Sequence, residues 1–415
     1  MREILILGGG ASGMAAAIGA AQTGGGGVRV TLVEQNPAPG KKLLATGNGR
    51  CNYDNLASGE GERYFTASPA ALRALLESIG RQDLSGWWHG LGLVGRADEA
   101  GRLYPYSNQA ADLTGLLLRW LDALGVARRT GCRVTELGQK GRRYAVRVEA
   151  EGKQQLLTAD RVICALGGSA GPQFGTGGFG PALAGRCGGR VRPLYPCLTP
   201  LRCGAQALMQ RLTGLRARGA VTLLDGDAPL AREEGEIQFT QYGLSGICVM
   251  QLSGRLAPGR GPARPALAVD LFPGAAEDEL AGQFAARAGG LPGPDAFWQG
   301  LLDRRLGEAL WAAAGLAGRA PADVGAAGWR ALAGVCKGWR FDAPALCGWK
   351  QAQTTGGGLA LEEVGPDFQF KGCPGLYFVG ETLDCAGSCG GFNLHWAFGS
   401  GLTAGRSAAG PGRAR

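Results

Sequence analysis

Gly8, Gly10 and Gly13, set at the end of a short apolar strand, make the clearest chemical demand in this 415-residue sequence. Each has a separate job if the segment binds a dinucleotide. Gly8 permits the tight turn, Gly10 lets backbone approach a pyrophosphate, and Gly13 lets a helix sit close against its strand. The Ala-rich helix expected over residues 11–21 opens with Ala11 and Ser12, where amides and the positive dipole end would face the phosphates. Twenty-one residues past Gly13, a second apolar strand (residues 28–33) ends in Glu34, followed by Gln35. A carboxylate there takes a ribose 2′-hydroxyl and repels a 2′-phosphate, which favours FAD or NAD over NADP. A second match, Gly175, Gly177 and Gly180, lacks the preceding strand and the following acid, and reads as a chance product of 75 glycines.

Further candidates lie along the chain. Thr46, Gly47, Asn48, Gly49, Arg50, Cys51 and Asn52 form a loop suited to line a flat cofactor. Its glycines admit backbone amides, and its asparagines can bond ring heteroatoms. Arg50 either fixes an anionic substrate or ties down the loop. Cys51 has no cysteine within four residues and reads as a small buried hydrophobe rather than a redox thiol. Lys41 and Lys42 either neutralise a diphosphate or are solvated. Ala165, Gly167 and Gly168 end an apolar strand where backbone can touch a cofactor, and Val134, on a strand expected over residues 132–137, joins the same set. Gly391, Phe392, Asn393 and Leu394 open a final helix whose amides would stabilise charge at N1 and O2 of a reduced flavin, by up to about 2 kcal/mol. Tyr242 is either a proton donor to an enolate or a packed core tyrosine. His395 is either a proton donor near the flavin or a satisfied helix residue. Cys385 and Cys389 form a CxxxC whose spacing allows a disulfide without establishing one.

Composition narrows the function classes. Hydrophobic residues make up 45% of the chain, enough for two or three cores. No stretch approaches the roughly 18 apolar residues of a membrane span, and the first strand starts too early to leave room for a signal peptide. Twelve scattered cysteines without a CxxC pair suit a reducing cytoplasm, and two histidines argue against a His-rich metal site. The net charge of +9 comes from dispersed arginines rather than a stripe with interleaved aromatics, so no nucleic-acid partner is expected. Trp87, Trp88, Trp339 and Trp349 read as packing.

The elements that must position these residues form a discontinuous α/β protein. Residues 1–191 carry the first part of a cofactor domain, with helices expected over 69–79 and 110–124, a hairpin over 144–150 and 155–158, and a strand from Arg161. Residues 192–276 read as an inserted β-rich module with strands over 219–224, 236–239 and 266–271. Residues 277–335 read as a helical cap, with helices over 277–288, 295–314 and 323–333 divided by Gly-Pro stretches. Residues 336–353 return through the insert. Residues 354–415 complete the cofactor domain with a strand over 375–381, a helix over 392–405 and a frayed tail.

Long ordered blocks add a family resemblance. The segment from Gly40 to Asn52 is similar to a GKKhhhSGgGRCNhTN signature, that from Gln238 to Gly246 to an hxFTHYGhSGPxhL block, and that from Thr354 to Gly358 to a TAGGV segment. The stretches from Gly375 to Asp384 and from Gly390 to Phe398 are similar to a GLYFAGEhhDhxGhxGGYNLQxAhxSG ending. Together they resemble the aminoacetone-oxidase-like, BaiN-like bacterial FAD-binding flavoproteins over nearly the whole chain. The resemblance implies a Rossmann-type fold of the two-dinucleotide-binding class with an inserted β-rich module and a small helical cap. It places Gly380 and Glu381 near the ribityl chain or pyrophosphate, with Asp384 a second candidate, and favours cofactor contact for at least one of Lys41 and Lys42. It implies an FAD-dependent oxidoreductase passing hydride from flavin N5 to a small organic substrate, with activated C=C bonds of steroid type among the substrates of some members. NAD(P)H docking transiently over the flavin, or a protein redox partner, would supply electrons. The alternatives are an oxidase of an amine such as aminoacetone and a non-catalytic flavin-binding regulator. The chain departs from the blocks at Gln241, where His is usual, at Ile247, where Pro is usual, and at His395, where Gln is common.

Overall fold

A computed structural model describes residues 1–290 and 296–410. Asp295, at the start of an expected cap helix, and residues 411–415 of the expected frayed tail lie outside them. The chain divides into one unit formed by Met1–Cys197 with Ala352–Arg415, and a second formed by Leu198–Gln351.

The first unit is built on five parallel strands in the order Leu376–Phe378, Arg161–Cys164, Arg2–Leu7, Val28–Val33, Ala127–Arg129. Parallel strands are covered on both faces, so they read as continuous apolar runs rather than alternation. Ile4, Leu5, Ile6 and Leu7 are buried in succession. Between Ala127–Arg129 and Arg161–Cys164 the crossover is a three-stranded antiparallel meander, Cys132–Lys140, Arg143–Ala150 and Lys153–Ala159. The first helix, Ala11–Gly24, packs against the closing helix, Phe392–Ala409. Small residues allow that approach: a Cβ at Gly401 would lie 2.1 Å from the Ser12 carbonyl oxygen, and one at Gly405 would lie 2.2 Å from that of Ala16. Since residue 401 meets 12 and 405 meets 16, the two helices run parallel.

The second unit carries a seven-stranded sheet in the order Trp339–Asp342, Pro265–Asp270, Arg216–Asp225, Ala228–Thr240, Gly243–Ser245, Leu201–Arg202, Ala345–Leu346, with every pairing antiparallel. Helices Glu277–Gly290, Arg304–Ala313 and Ala326–Gly338 pack in the same unit. Their core is aromatic: Phe297 stacks on Trp329 at 5.5 Å and meets Trp298 edge-on at 4.9 Å. Asp270, buried, accepts from Lys337 Nζ at 2.9 Å and Arg232 at 3.2 Å, which ties the last of these helices to the sheet. Among the described residues no helix is long and apolar enough to cross a membrane.

Candidate cofactor site

The glycine turn separates into two structural positions and one open one. Gly8 has φ +102°, and a Cβ there would lie 2.3 Å from the Ala165 carbonyl oxygen; a Cβ at Gly13 would lie 1.8 Å from that of Gly8. Both glycines are therefore required by the fold of the turn itself. At Gly10 a Cβ would meet no atom within 4 Å. Gly10 also caps the first helix without a side-chain partner, so no side chain of the cap takes the first helical amides.

Glu34 ends its strand buried. Oε2 accepts from Gly9 N at 2.7 Å, and Oε1 accepts from Asn36 N and Asn36 Nδ2, each at 2.7 Å. A carboxylate has about four lone-pair directions, so three bonds leave one for a ribose hydroxyl. Asn36 also donates to the Phe174 carbonyl, and Gln35 Nε2 donates to that of Gly175. Cys132 N donates to the Glu34 carbonyl at 2.9 Å, which brings the strand carrying the buried Val134 up to this carboxylate.

The lysines part company. Lys41 is exposed, with Nζ 3.5 Å from Asn36 Oδ1. Lys42 pairs with Glu381 at 2.7 Å and donates to the Ala170 carbonyl at 3.1 Å. Glu381 Oε1 accepts from Thr355 N at 2.9 Å and Thr355 Oγ1 at 2.6 Å, and that hydroxyl accepts from Ser169 N and Ala170 N. The network joins four segments of the chain, at residues 42, 169–170, 355 and 381. A Cβ at Gly168 would strike Thr355 Oγ1 at 2.3 Å, whereas Gly167, at φ +71°, faces open space.

The loop expected to line a flat ring is held in an uncommon backbone conformation. Gly47, Asn48, Gly49 and Cys51 have φ of +57°, +56°, +82° and +57°. Asn48 and Cys51 are the informative pair, since few non-glycine residues adopt positive φ. Thr46 Oγ1 donates to the Leu43 carbonyl and its own carbonyl accepts from Cys51 N, closing the loop. Asn52 lies beside Gly47, its amide nitrogen 3.2 Å from where a Cβ would sit. Arg50 Nε donates to the Gly47 carbonyl, and the guanidinium lies 5.2 Å from the Tyr104 ring centroid. Cys51 is fully buried, and burial pushes its thiol up to about 12. No disulfide joins any of the twelve cysteines, Cys385 and Cys389 included.

The closing helix begins at a Gly390–Gly391 turn with φ +117° and +106°. A Cβ at Gly391 would lie 2.1 Å from the Asp54 carbonyl oxygen. Gly391 caps the helix without a side-chain bond, while Asn393 spends its amide on Gly387 N and O, both at 2.8 Å. Phe392 packs edge-on to Tyr64. Gly380 bridges the two helices, its Cβ position 2.7 Å from Ser12 Oγ, its N–H donated to Ser400 Oγ and its carbonyl taken by Trp396 Nε1. His395 is 8% exposed, and Nδ1 lies 2.8 Å from Asp54 Oδ1. Asp54, Asn36 and Thr355 were not singled out from the sequence.

Tyr242 belongs to the second unit. Its carbonyl accepts from Cys203 N at 3.0 Å, and burial raises its phenol above the ordinary value.

These residues fit FAD by geometry. With Ser12 level with Gly401, the closing helix begins eight residues nearer the amino-terminal side than the first helix, about 12 Å at 1.5 Å per residue. Two parallel helices thus offer side-chain-free N-termini, offset along one direction, with Gly380 between them. That spacing suits a long ligand with a diphosphate at one point and an electron-accepting ring further on. Glu34 lies against the glycine turn, its Oε2 accepting from Gly9 N.

Residues 2–407 match the model of the HI0933-like protein Rossmann domain. The chain is 35% identical to a 3-dehydro-bile acid Δ(4,6)-reductase of Clostridium scindens, over 99% of both chains. It is 26% identical to a ribosomal RNA dihydrouridine synthase of Escherichia coli, over 96% of both. Among solved structures, a 3-ketosteroid Δ1-dehydrogenase of Sterolibacterium denitrificans superposes with a TM-score of 0.51 at 13% identity, covering 99% of this chain and 100% of its own. That likeness shows the fold. The chain belongs to the HI0933-like family and is an FAD-dependent oxidoreductase with a Rossmann-type cofactor domain, an inserted β-rich sheet and a helical cap.

Proposed function

We propose that this protein saturates a carbonyl-conjugated C=C bond of a steroid-like small molecule, with NAD(P)H as the electron source. The observation that carries this reading is the end-to-end identity of 35% with a bile-acid Δ(4,6)-reductase, which reaches through every cofactor-facing segment described above. FAD held by these residues would supply the two electrons as a hydride to the electron-poor carbon of the substrate. The chain has three tasks. It holds the dinucleotide by the amides of residues 11–13 and by Glu34. The amides of residues 392–394 favour negative charge on the ring end. It also supplies a proton to the enolate that hydride addition leaves. Tyr242 is the donor we assign: its raised phenol stays protonated at neutral pH, so it gives a proton rather than taking one. Arg50 would orient an anionic substituent of the substrate, and His395 would serve the ring end of the cofactor.

Anaerobic mixing tests the proposal. NADH or NADPH should bleach the flavin bands, and a steroid 4-en-3-one or 4,6-dien-3-one should restore them within turnover time. Bleaching that only oxygen reverses would replace the reductase reading with an oxidase. Tyr242→Phe should slow the restoration by about a hundredfold or more while leaving bleaching unchanged.

A second reading is favoured by one observation, the 26% identity to a ribosomal RNA dihydrouridine synthase. Dihydrouridine is uridine with its carbonyl-conjugated C=C bond saturated, so the chemistry is shared and the substrate differs in size and charge. Flavin restored by unmodified ribosomal RNA, and not by steroid enones, would establish it.

A further inference from the structure

His395 and Asp54 form a buried pair separated by 341 residues in sequence. The two-residue strand Asp54–Asn55 is fastened to the glycine turn that opens the closing helix. Asn55 Nδ2 donates to the Gly390 carbonyl at 2.7 Å, and the Asp54 carbonyl lies against Gly391. Asp54 Oδ1 accepts from Asn55 N at 2.7 Å and faces His395 Nδ1 at 2.8 Å. A carboxylate only accepts, so Nδ1 carries the proton directed at Asp54, and in the corresponding Nδ1–H tautomer Nε2 carries a lone pair. Nε2 has no hydrogen-bond partner among the described residues, although His395 is more than nine-tenths buried, and it is not among the fully enclosed polar atoms. The small exposed part of His395 therefore includes Nε2. One turn away lie the amides at the start of the same helix, which have no side-chain cap.

A lone pair beside a set of N–H donors recognises a group that offers an N–H next to a carbonyl, which is the edge of a cyclic imide. We propose that Asp54 is a positioning residue that fixes the His395 tautomer so that Nε2 accepts the N3–H of the flavin pyrimidine ring, while the helix amides receive the adjacent carbonyl oxygen. The proposal rests on the cofactor placement above. It assigns Asp54 a positioning role, and it makes His395 a cofactor-recognition residue rather than the proton donor to substrate.

The test uses FAD and 3-methyl-FAD, which lacks the N3–H. Wild type should bind 3-methyl-FAD about tenfold or more weakly than FAD. The difference should collapse in His395→Ala, whose Cβ leaves room for the methyl group. Asp54→Asn can donate to Nδ1 and so reverse the tautomer, as carboxamide substitution does in other carboxylate–histidine pairs. It should weaken FAD binding about tenfold without weakening 3-methyl-FAD binding. Because the chain has only two histidines, nitrogen NMR gives a readout independent of catalysis. His395 should show the Nδ1–H tautomer in wild type and lose it in Asp54→Asn. Undiminished affinity for 3-methyl-FAD in wild type overturns this proposal alone; failure to bind either flavin overturns the cofactor placement with it. A shift of the Nε2 resonance on adding uridine to the FAD-loaded protein, with none on FAD loading, would assign the pair to a substrate imide and also overturn it.

Discussion

Gly10 shows how one residue separates folding from binding. Gly8 and Gly13 are fixed by clashes a Cβ would make with the protein's own backbone, whereas a Cβ at Gly10 would point into open space. Gly10→Val should therefore fold with a melting temperature close to that of the wild-type apoprotein, yet purify colourless and fail to take up added FAD. Gly13→Ala should instead lose stability with or without cofactor. Buried thiols make a second residue-scale case. Burial raises Cys51, Cys203 and Cys336 to about 12. Above an unfolded thiol value near 8.5 the unfolded chain releases these protons and the folded chain keeps them. Fewer protons on the unfolded state give stability a negative slope with pH, up to about 1.4 kcal/mol per thiol per pH unit. Denaturation midpoints should fall as pH rises from about 8.5 to 11. The same burial should leave Cys51 unalkylated by iodoacetamide in the native protein at pH 8. The glycine turn and Glu34 were legible because their demands are local. Asp54 was not, because its partner His395 lies 341 residues away and nothing near residue 54 signals a bond.

In the cofactor placement proposed above, the parallel pair Ala11–Gly24 and Phe392–Ala409 would align the two ends of the site. Gly401 and Gly405 set its spacing, so a side chain there must push the helices apart rather than fill a gap. Gly405→Val should cost about 2–3 kcal/mol in denaturant unfolding, at the upper end of overpacking effects. It should also raise flavin fluorescence on mild warming, as the closing helix shifts from its ligand; unchanged flavin retention would separate packing from cofactor alignment. The helices Pro69–Gly80, Ala110–Ala123 and Phe392–Ala409 and the buried parallel strands were legible, because period and apolar runs report burial directly, whereas the helix expected over 295–314 forms only as Arg304–Ala313. Three kinds of element were not. The strand Ala228–Thr240 was read only over 236–239, since Arg232, Glu233 and Glu234 interrupt its apolar pattern on a largely exposed stretch. The small sheet of Asp54–Asn55, Gly95–Ala97 and Arg102–Pro105 has strands of two to four residues, too short to show a period. The helix Leu84–Gly90 is short and opens with Asp83 capping at positive φ, and its Trp-Trp pair was read as packing alone.

At the scale of the whole molecule, the net charge of +9 bears on which carbonyl-conjugated substrate is reduced. Binding to a polyanion needs basic groups free to displace counterions along a track. Many arginines are instead neutralised where they stand: Arg133 pairs with Glu149, Arg147 with Glu136, Arg216 with Glu236, and Arg340 with both Asp227 and Asp342. These pairs are exposed and individually weak, but each holds its guanidinium against a carboxylate rather than presenting it to a phosphate. A steroid-like substrate needs none of them. The rate at which a steroid enone restores the flavin should therefore change by less than about threefold between 50 and 200 mM salt. A protein making six to ten phosphate contacts loses about 10³–10⁵ in affinity over that interval. A steep loss of flavin restoration by ribosomal RNA over the same range, together with no response to steroid enones, would show that enough of these guanidinium groups leave their carboxylates to hold a nucleic acid, and would move the substrate from the steroid class to RNA.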